Sequence, residues 1–236
     1  MGASGKDERR ASHVSAWPSS DAHGKLLASH DIRTGTISIR AIPIACAVLA
    51  AGQGTRFGEP KAIARLPSGE RFLDVVVRVA TEADLSPVLA VVRPGVDVPA
   101  PARAVVNPNP KSEQSGSLRL ALAGLANDRA EAVVVWPVDH PFVHLLSVLA
   151  LVDAFKRTRA PIVLPVHDGR RGHPVLFART VWLELMTTST GGARTVVHAH
   201  AAHVVEVPVP DEGVRRDIDT RSDMPQSGGR ASDGVS

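Results

Sequence analysis

The hydrophobic residues of this chain fall into short, separate runs that alternate with longer stretches of helical spacing. The clearest run, over residues 44–51, reads IACAVLAA and contains no polar position, which is typical of a parallel strand buried on both faces. Further apolar runs over residues 88–92, 104–106, 132–136 and 162–166 predict strands, as do shorter ones over 174–177 and 204–207.

The stretches between these runs have apolar residues at the spacing of amphipathic helices. We expect helices over residues 72–83, 142–157, 179–186 and 193–199, and another from Ser115 or Ser117 to Ala126. Strands that alternate with helices predict an α/β fold of three layers with a mostly parallel central sheet. Ligands of such folds bind at the carboxyl ends of the strands, so the loops that follow the strands should carry the chemistry.

The chain of 236 residues is long enough for one α/β domain with a substantial core, which we place at residues 38–224. Residues 1–37 are rich in Ser, Gly, Asp, Arg and His, and residues 225–236 are rich in Ser and Gly. We expect both ends to be disordered or poorly packed. Residues 36–40 either begin a strand or lead into the one that starts near Ile42.

Charge and cysteine content exclude several classes of protein. The net charge of +3 comes from 27 basic and 24 acidic residues that are dispersed along the chain, so we expect no nucleic-acid surface. The single cysteine, Cys46, excludes an intramolecular disulfide and a cysteine-based zinc cage. No apolar run reaches the length of a membrane span, and no apolar segment follows Met1, so we expect a cytoplasmic protein.

The loop after the run at residues 44–51 carries the strongest chemical signal. It reads GQGTRFGEPK over residues 52–61, and its glycines would let backbone N–H groups approach an anion within reach of Arg56 and Lys61. The third glycine comes one residue too late for the dinucleotide fingerprint, and no Gly-Lys-Ser/Thr follows, as a P-loop requires. The residues predict a phosphate-binding turn, with a plain glycine turn and two solvated cations as the alternative.

Two other loops supply carboxylates. Asp139 follows the run at residues 132–136 and suits either a helix N-cap or a Mg²⁺ ligand, since Mg²⁺ is usually held by one or two carboxylates with phosphate and water. Asp217 and Asp219 lie in an acidic segment that taken alone is typical of a solvated turn. Between these loops, Arg170 and Arg171 precede His173, and their guanidinium groups suit bidentate binding of a phosphate.

Five segments together resemble the MobA-like nucleotidyltransferases. The first, LAAGQGTRFGEPK at residues 49–61, is similar to the family signature L-A-A-G-x-G/S-x-R-x-G-x-x-K, and PVDHP at 137–141 is similar to P-x-D-x-P. NPNPKSEQSGSL at 107–118 resembles N-P-x-x-x-x-G-M-x-x-S-L, with Glu113 and Gln114 in place of Gly-Met. DIDTRSD at 217–223 resembles D-[IV]-D-T-P-x-D, with Arg221 in place of Pro. GRRGHPVLF at 169–177 resembles G-x-x-G-H-P-V-L-F of the molybdenum cofactor cytidylyltransferase branch.

The resemblance implies a three-layer Rossmann-like nucleotidyltransferase fold and a Mg²⁺-dependent transfer of a nucleoside monophosphate from an NTP to a phosphate-bearing acceptor, with release of pyrophosphate. It favours CTP and the molybdopterin of molybdenum cofactor, because Ala51 stands where guanylyltransferase relatives usually have Gly and because of the Gly172-His173-Pro174 segment. Molybdoenzymes or cofactor-handling proteins would then be partners. The alternatives are a transferase that uses GTP or another NTP with a different phospho-acceptor, and a nucleotide-binding protein without transfer activity or a redox enzyme on a similar fold.

The resemblance also implies roles for individual residues. Arg56, Lys61 and Asp139 would be catalytic, and Asp139 and Asp219 would bind Mg²⁺, with Asp217 as a competing ligand. The residues expected to bind the nucleotide are Leu49, Ala50, Ala51, Gly52, Gly54, Thr55, Arg56, Lys61, Asn107 and Ser117. Those expected to bind the acceptor are Arg170, Arg171 and His173.

Overall fold

The computed structural model describes residues 28–30, 37–39, 42–109, 114–188 and 191–225, and the chain divides into a unit of residues 1–40 and a unit of residues 41–236. In the first unit, strands β1 (Ala28–His30) and β2 (Ile37–Ile39) pair in an antiparallel manner. β2 lies within residues 36–40, for which the sequence allows either a strand or a lead into the next one. β1 lies within residues 1–37, for which the sequence predicts no strand. The predicted domain limits and disordered ends fall largely outside the described residues and stay predictions.

The second unit is a β-sheet with helices on both faces. Its strands are β3 (Ile44–Leu49), β4 (Val88–Val92), β5 (Arg103–Val106), β6 (Ala132–Pro137), β7 (Ile162–His167), β8 (Arg170–Arg171), β9 (Val175–Ala178) and β10 (Val204–Pro208). Its helices are α1 (Phe72–Glu82), α2 (Gln114–Gly124), α3 (Leu145–Thr158), α4 (Trp182–Thr187) and α5 (Gly192–Ala199). Among the described helices, none is both long enough and apolar enough to cross a membrane.

The strands run in the order β10-β7-β9-β6-β3-β4-β5 across the sheet. β3 lies inside the sheet and pairs in parallel with β4 on one side and with β6 on the other, as its unbroken apolar sequence predicts. β9 is inserted antiparallel between β6 and β7, and the two-residue β8 folds back on β7 as a short hairpin. The predicted fold class, an α/β protein with a mostly parallel central sheet, is confirmed.

The two faces of the sheet are covered by different helices, because successive strand residues point to opposite faces. On one face the buried residues of β3, such as Cys46, pack in a core with Phe72 of α1 and Leu151 of α3. On the other face Ala47 shares a core with Leu122 of α2 and Trp182 of α4. Each fully buried Leu or Phe of these layers contributes roughly 1.5–3 kcal/mol to folding.

Several helix boundaries differ from the predicted ones: α2 ends at Gly124 and not at Ala126, α4 begins at Trp182 and not at Arg179, and the start of α3 differs for a clear physical reason. The sequence predicts a helix from residue 142, but α3 begins only at Leu145. The reason is a remote cap: the buried Asp211 carboxylate accepts hydrogen bonds from the His144 backbone N–H at 2.9 Å and from the Ser147 hydroxyl at 2.6 Å. Asp139 therefore lies well before the helix and is not its N-cap.

Candidate active site

The glycine loop after β3 is held in a conformation that only glycine allows at its centre. Gly54 has a φ of +62°, and a Cβ built there would lie 1.9 Å from the Glu59 carbonyl oxygen. The Gly54 carbonyl oxygen in turn accepts hydrogen bonds from the N–H groups of Phe57 and Gly58, both at 2.9 Å. The loop is closed on itself by these contacts before any ligand is bound.

The same loop presents backbone donors to a cavity of 340 Å³. Gly52, Gly54 and Thr55 line this cavity, and within residues 42–109, 114–188 and 191–225 no acceptor is found for their N–H groups. Donors of this kind that converge on one space form a seat for an anion. We call this space the first cavity.

Lys61 occupies the floor of the first cavity between two carboxylates. Its ammonium lies 3.1 Å from Asp139 Oδ2 and 2.5 Å from Asp219 Oδ1, and only 13% of its side chain is exposed. Arg56 reaches Asp219 Oδ2 at 3.4 Å, but its side chain is 78% exposed. The two cations and the two carboxylates predicted from separate segments are therefore neighbours.

Asp139 is positioned by the loop that follows β6. The buried Trp136 donates from its indole N–H to the His140 carbonyl oxygen at 3.1 Å, and Val138 donates to the Leu49 carbonyl oxygen at 3.2 Å. These bonds fix the loop against the carboxyl end of β3. Asp139 Oδ1 is buried and has no hydrogen-bond partner among the described residues.

Asp219 is brought to Asp139 by a backbone contact between their segments. The N–H of the fully buried Ile218 donates to the Asp139 carbonyl oxygen at 2.8 Å. Asp223 Oδ2 accepts from the N–H groups of Asp219 at 3.1 Å and Thr220 at 2.7 Å, which fixes the turn. Asp217 is exposed and does not line the first cavity.

The electrostatics of the cluster favour its ionised form. Burial by itself lowers the pKa of Lys61, but the hydrogen bonds and negative charges of Asp219 and Asp139 outweigh burial and raise that pKa above its ordinary value. The hydrogen bond from Lys61 lowers the pKa of Asp219 below its ordinary value, and the charges of Lys61 and Arg56 act in the same direction. Lys61 is thus an ammonium and Asp219 a carboxylate at neutral pH.

Most residues predicted to bind nucleotide or metal lie on this cavity, and two lie behind it. Ala50 is buried in the core, and its N–H donates to the Val91 carbonyl oxygen. Asn107 is also buried, and its amide donates to the Ser117 hydroxyl at 3.1 Å, so it positions a wall residue. The lining residues are Leu49, Ala51, Gly52, Gly54, Thr55, Arg56, Lys61, Gln114, Ser117, Pro137, Val138, Asp139 and Asp219.

A second cavity of 620 Å³ adjoins the first and shares Leu49, Gln114 and Pro137 with it. Its walls are mainly apolar, and none of the described residues that line it is acidic. They are Leu49, Gln114, Ser115, Leu118, Val135, Pro137, Leu164, Arg171, Gly172, His173, Val175, Phe177, Gly191, Gly192, Ala193, Arg194 and Val197.

Of the three residues predicted to bind the acceptor, two line this cavity and one does not. Arg171 and His173 line it, whereas Arg170, its neighbour on β8, is exposed and lies outside the lining. Arg171 also donates to Glu206 Oε1 at 2.7 Å, which orients the guanidinium. Arg194 on α5 lines the cavity too, and no motif in the sequence marks it.

Two imidazole rings, one of them lining the second cavity, are in contact at an interplanar angle of 48°. The rings of His140 and His173 have centroids 4.9 Å apart, and the Nδ1 atom of each is buried without a hydrogen-bond partner among the described residues. Burial lowers the pKa of His140, and burial together with the neighbouring His140 lowers the pKa of His173 to about 4. Both rings are therefore neutral at neutral pH.

The two carboxylates of the site suit a divalent cation whose other ligands come from the substrate and from water. Among the described residues, no group of three or more His, Cys, Asp or Glu side chains is placed to hold a metal ion. Asp139 and Asp219 instead offer two carboxylates, one of them with a buried, unpartnered oxygen. This is the set with which Mg²⁺ is usually held, the remaining positions being filled by phosphate oxygens and water.

The fold and the first cavity define an α/β protein with two cations and two carboxylates clustered at the carboxyl edge of its sheet. The sequence is more specific. The family model described as the MobA-like NTP transferase domain matches residues 46–204, and the chain belongs to that family.

Individual relatives agree with this assignment. The chain is 27% identical over 148 residues to the probable molybdenum cofactor guanylyltransferase of Rhodopirellula baltica, a match that spans 57% of this chain and 66% of that protein. The structure is similar to that of Rv0371c from Mycobacterium tuberculosis, with 28% identity, a TM-score of 0.67 and coverage of 78% of this chain and 96% of that one. A complex of Rv0371c with manganese is similar as well, at 26% identity and a TM-score of 0.62 over 77% of this chain and 95% of that one.

Proposed function

We propose that this protein transfers a nucleoside monophosphate from an NTP to a phosphate-bearing acceptor and releases pyrophosphate. The observation that carries the proposal is the meeting of Lys61, Asp139 and Asp219 beside Gly52 and Gly54, whose N–H groups have no acceptor among the described residues. The N–H groups and Lys61 suit the triphosphate of an NTP, and the two carboxylates suit its divalent counter-ion. The adjoining second cavity leaves room for a second substrate within reach of the α-phosphate.

In this proposal the protein positions the reactants and balances charge. The N–H groups of Gly52 and Gly54 would bind the β- and γ-phosphates, and Arg56 and Lys61 would stabilise the α-phosphate and the departing pyrophosphate. An oxygen of the acceptor phosphate attacks the α-phosphorus in line. The bond from the α-phosphorus to the bridging oxygen breaks, and the pair of electrons leaves with pyrophosphate.

Asp139 and Asp219 would hold the divalent cation, for which we propose Mg²⁺; the manganese complex of Rv0371c is a precedent for a divalent cation in this fold. The bound ion would neutralise charge on the phosphates. Gln114 and Ser117, which line the first cavity at the start of α2, would contact the rest of the nucleotide. Asn107 would act indirectly, through its hydrogen bond to Ser117.

The acceptor would lie in the second cavity. Its apolar walls suit the body of an organic molecule, and Arg171, Arg194 and His173 suit an anionic group on it. Molybdenum cofactor is the acceptor we propose, on the Gly172-His173-Pro174 segment and on the similarity to the probable molybdenum cofactor guanylyltransferase of Rhodopirellula baltica. The proposed partners, molybdoenzymes or cofactor-handling proteins, and the cytoplasmic location rest on the same resemblance.

For the nucleotide we propose CTP, with GTP as the second candidate. Ala51 lines the first cavity, and its methyl group takes space that a glycine would leave open, which favours the smaller pyrimidine base. The name of the guanylyltransferase relative favours GTP instead. Each NTP should therefore be compared in the same assay.

The direct test is incubation of the protein with Mg²⁺, molybdenum cofactor and each NTP in turn, with pyrophosphate release and product mass as readouts. We expect pyrophosphate and a cytidylylated product with CTP. A guanylylated product would show that GTP, and not CTP, is the substrate, and the proposed transfer reaction would still hold. Binding of an NTP without pyrophosphate release from any NTP would favour a nucleotide-binding protein without transfer activity.

Two substitutions connect this activity to the first cavity. We expect Lys61→Ala and Asp139→Ala each to reduce turnover by about 10³-fold or more, because each removes a charge that acts on the reacting phosphates. Lys156→Ala and Asp153→Ala are matched controls on the exposed side of α3 and should retain wild-type rates. Near-wild-type turnover in either first-cavity variant would contradict the assignment of these residues.

A further inference from the structure

The contact between Lys61 and the two carboxylates has a use beyond binding phosphate. Lys61 donates to Asp139 Oδ2 and Asp219 Oδ1, so one oxygen of each carboxylate proposed to bind the cation is already engaged by the ammonium. With 13% of its side chain exposed, the ammonium fills the space between the carboxylates. A divalent cation cannot take up both oxygens while the ammonium stays there.

We propose that Lys61 occupies the metal position in the nucleotide-free protein, so that the divalent cation enters together with the NTP and not before it. This inference rests on the proposed function, since it takes Asp139 and Asp219 as the metal ligands. Lys61 thereby has two successive positions: between the carboxylates when the first cavity is free, and on the phosphates when the NTP is bound.

The charges of the first cavity explain the order. Two carboxylates close together repel each other, and Lys61 removes that repulsion without any ligand. A free metal ion would have to displace an ammonium that carries the same sign of charge and two hydrogen bonds. A triphosphate offers the ammonium another strong anion, on the side where Gly52 and Gly54 present unpaired N–H groups.

Arg56 does not replace Lys61 in this role. It touches only Asp219, at 3.4 Å, and 78% of its side chain is exposed, so water screens most of its charge. The dependence of metal affinity on Lys61 should therefore be much stronger than on any exposed cation of the protein.

The test is a titration of the full-length protein with Mn²⁺ in the absence of nucleotide, followed by the electron paramagnetic resonance signal of free Mn²⁺. We expect weak binding by wild type. Lys61→Met and Lys61→Gln should each bind Mn²⁺ about tenfold more tightly or better, because the positive charge that competes for the two carboxylates has been removed. Lys156→Met loses the same charge at an exposed position and should bind as wild type does.

Equal Mn²⁺ affinity in wild type and both Lys61 variants would overturn the inference, and so would the same gain in Lys156→Met. Thermal unfolding checks that the variants are folded, and either Lys61 variant suffices for the comparison. The readout is independent of transfer. A wild-type protein that releases no pyrophosphate from any NTP would overturn the proposed function. If wild type turns over normally but the Lys61 variants bind Mn²⁺ no more tightly than wild type, only the proposed role of Lys61 is overturned.

Discussion

The two neighbouring cavities are built by different means. The first is made of loops after β3 and β6 and of the segment around Asp219, and its polar groups are backbone N–H groups, two cationic side chains and two carboxylates. The second is walled by side chains of β6, β7, β9, α2 and α5, most of them apolar. Backbone geometry thus determines the first cavity, whereas side-chain identity determines the second, so substitutions should affect the two cavities separately.

Among substitutions that separate the two cavities, Gly54→Ala should have the largest effect. The added methyl group would meet the Glu59 carbonyl oxygen at 1.9 Å and would also disfavour the φ of +62°, so the loop must open. We expect NTP affinity, measured by calorimetry, to fall about 10²-fold or more, since small displacements of bound phosphates are costly. Gly58→Ala is the control: its φ is also positive, at +92°, but its Cβ has open space. Similar losses in both variants would show that backbone strain, and not the clash, determines the effect.

A smaller effect, confined to the acceptor, should follow from Arg171→Met. Loss of a charge-assisted hydrogen bond to the acceptor should raise its KM by about tenfold and leave the KM for the NTP unchanged. Arg170→Met is a closely matched control, because the neighbouring side chain is exposed and does not line the second cavity. An equal rise in both variants would place the acceptor outside that cavity.

A last effect should be on stability alone and should depend on pH. The pKa of His173 is about 4 in the folded protein, below its ordinary value of 6.5. Between pH 6.5 and 4 the unfolded chain binds a proton that the folded protein does not, so stability falls as the pH is lowered through this range. We expect wild type to lose about 1.4 kcal/mol per pH unit more than His173→Asn in denaturant titrations. Above pH 7 both states are neutral at this position, and equal slopes for the two proteins at lower pH would contradict the prediction.

The fold was predictable because its strands are marked by apolar runs without polar positions, and the carboxyl ends of parallel strands share one edge. The glycine loop and Asp139 could be found from sequence for that reason, since each follows such a run, whereas Asp219 follows none and is predicted only from the resemblance of residues 217–223 to the family segment. The start of α3 could not, because its capping carboxylate, Asp211, lies far along the chain. A pattern formed by neighbouring residues cannot reveal a hydrogen-bond partner that is so distant in sequence.

The acceptor residues were only partly predictable, because residues 168–172 have the composition of a polar turn. In the structure Arg170 and Arg171 form β8, so their side chains point in opposite directions and only Arg171 lines the second cavity. Arg194 lies on α5 without any motif around it. Arg221, which departs from the family pattern, donates to Glu59 at 2.8 Å and joins the Asp219 segment to the glycine loop. That contact depends on tertiary structure alone.

The antiparallel direction of β9 has a consequence for how this protein could be re-engineered. Because β9 runs against β6 and β7, its beginning lies at the carboxyl edge of those strands, and the short hairpin that leads into it carries Arg171 and His173 to that edge. The segments proposed to bind the nucleotide and the metal lie elsewhere in the chain, at residues 49–61, 137–141 and 217–223. Exchange of the hairpin at residues 168–174 should therefore change the acceptor while the proposed nucleotide site stays in place.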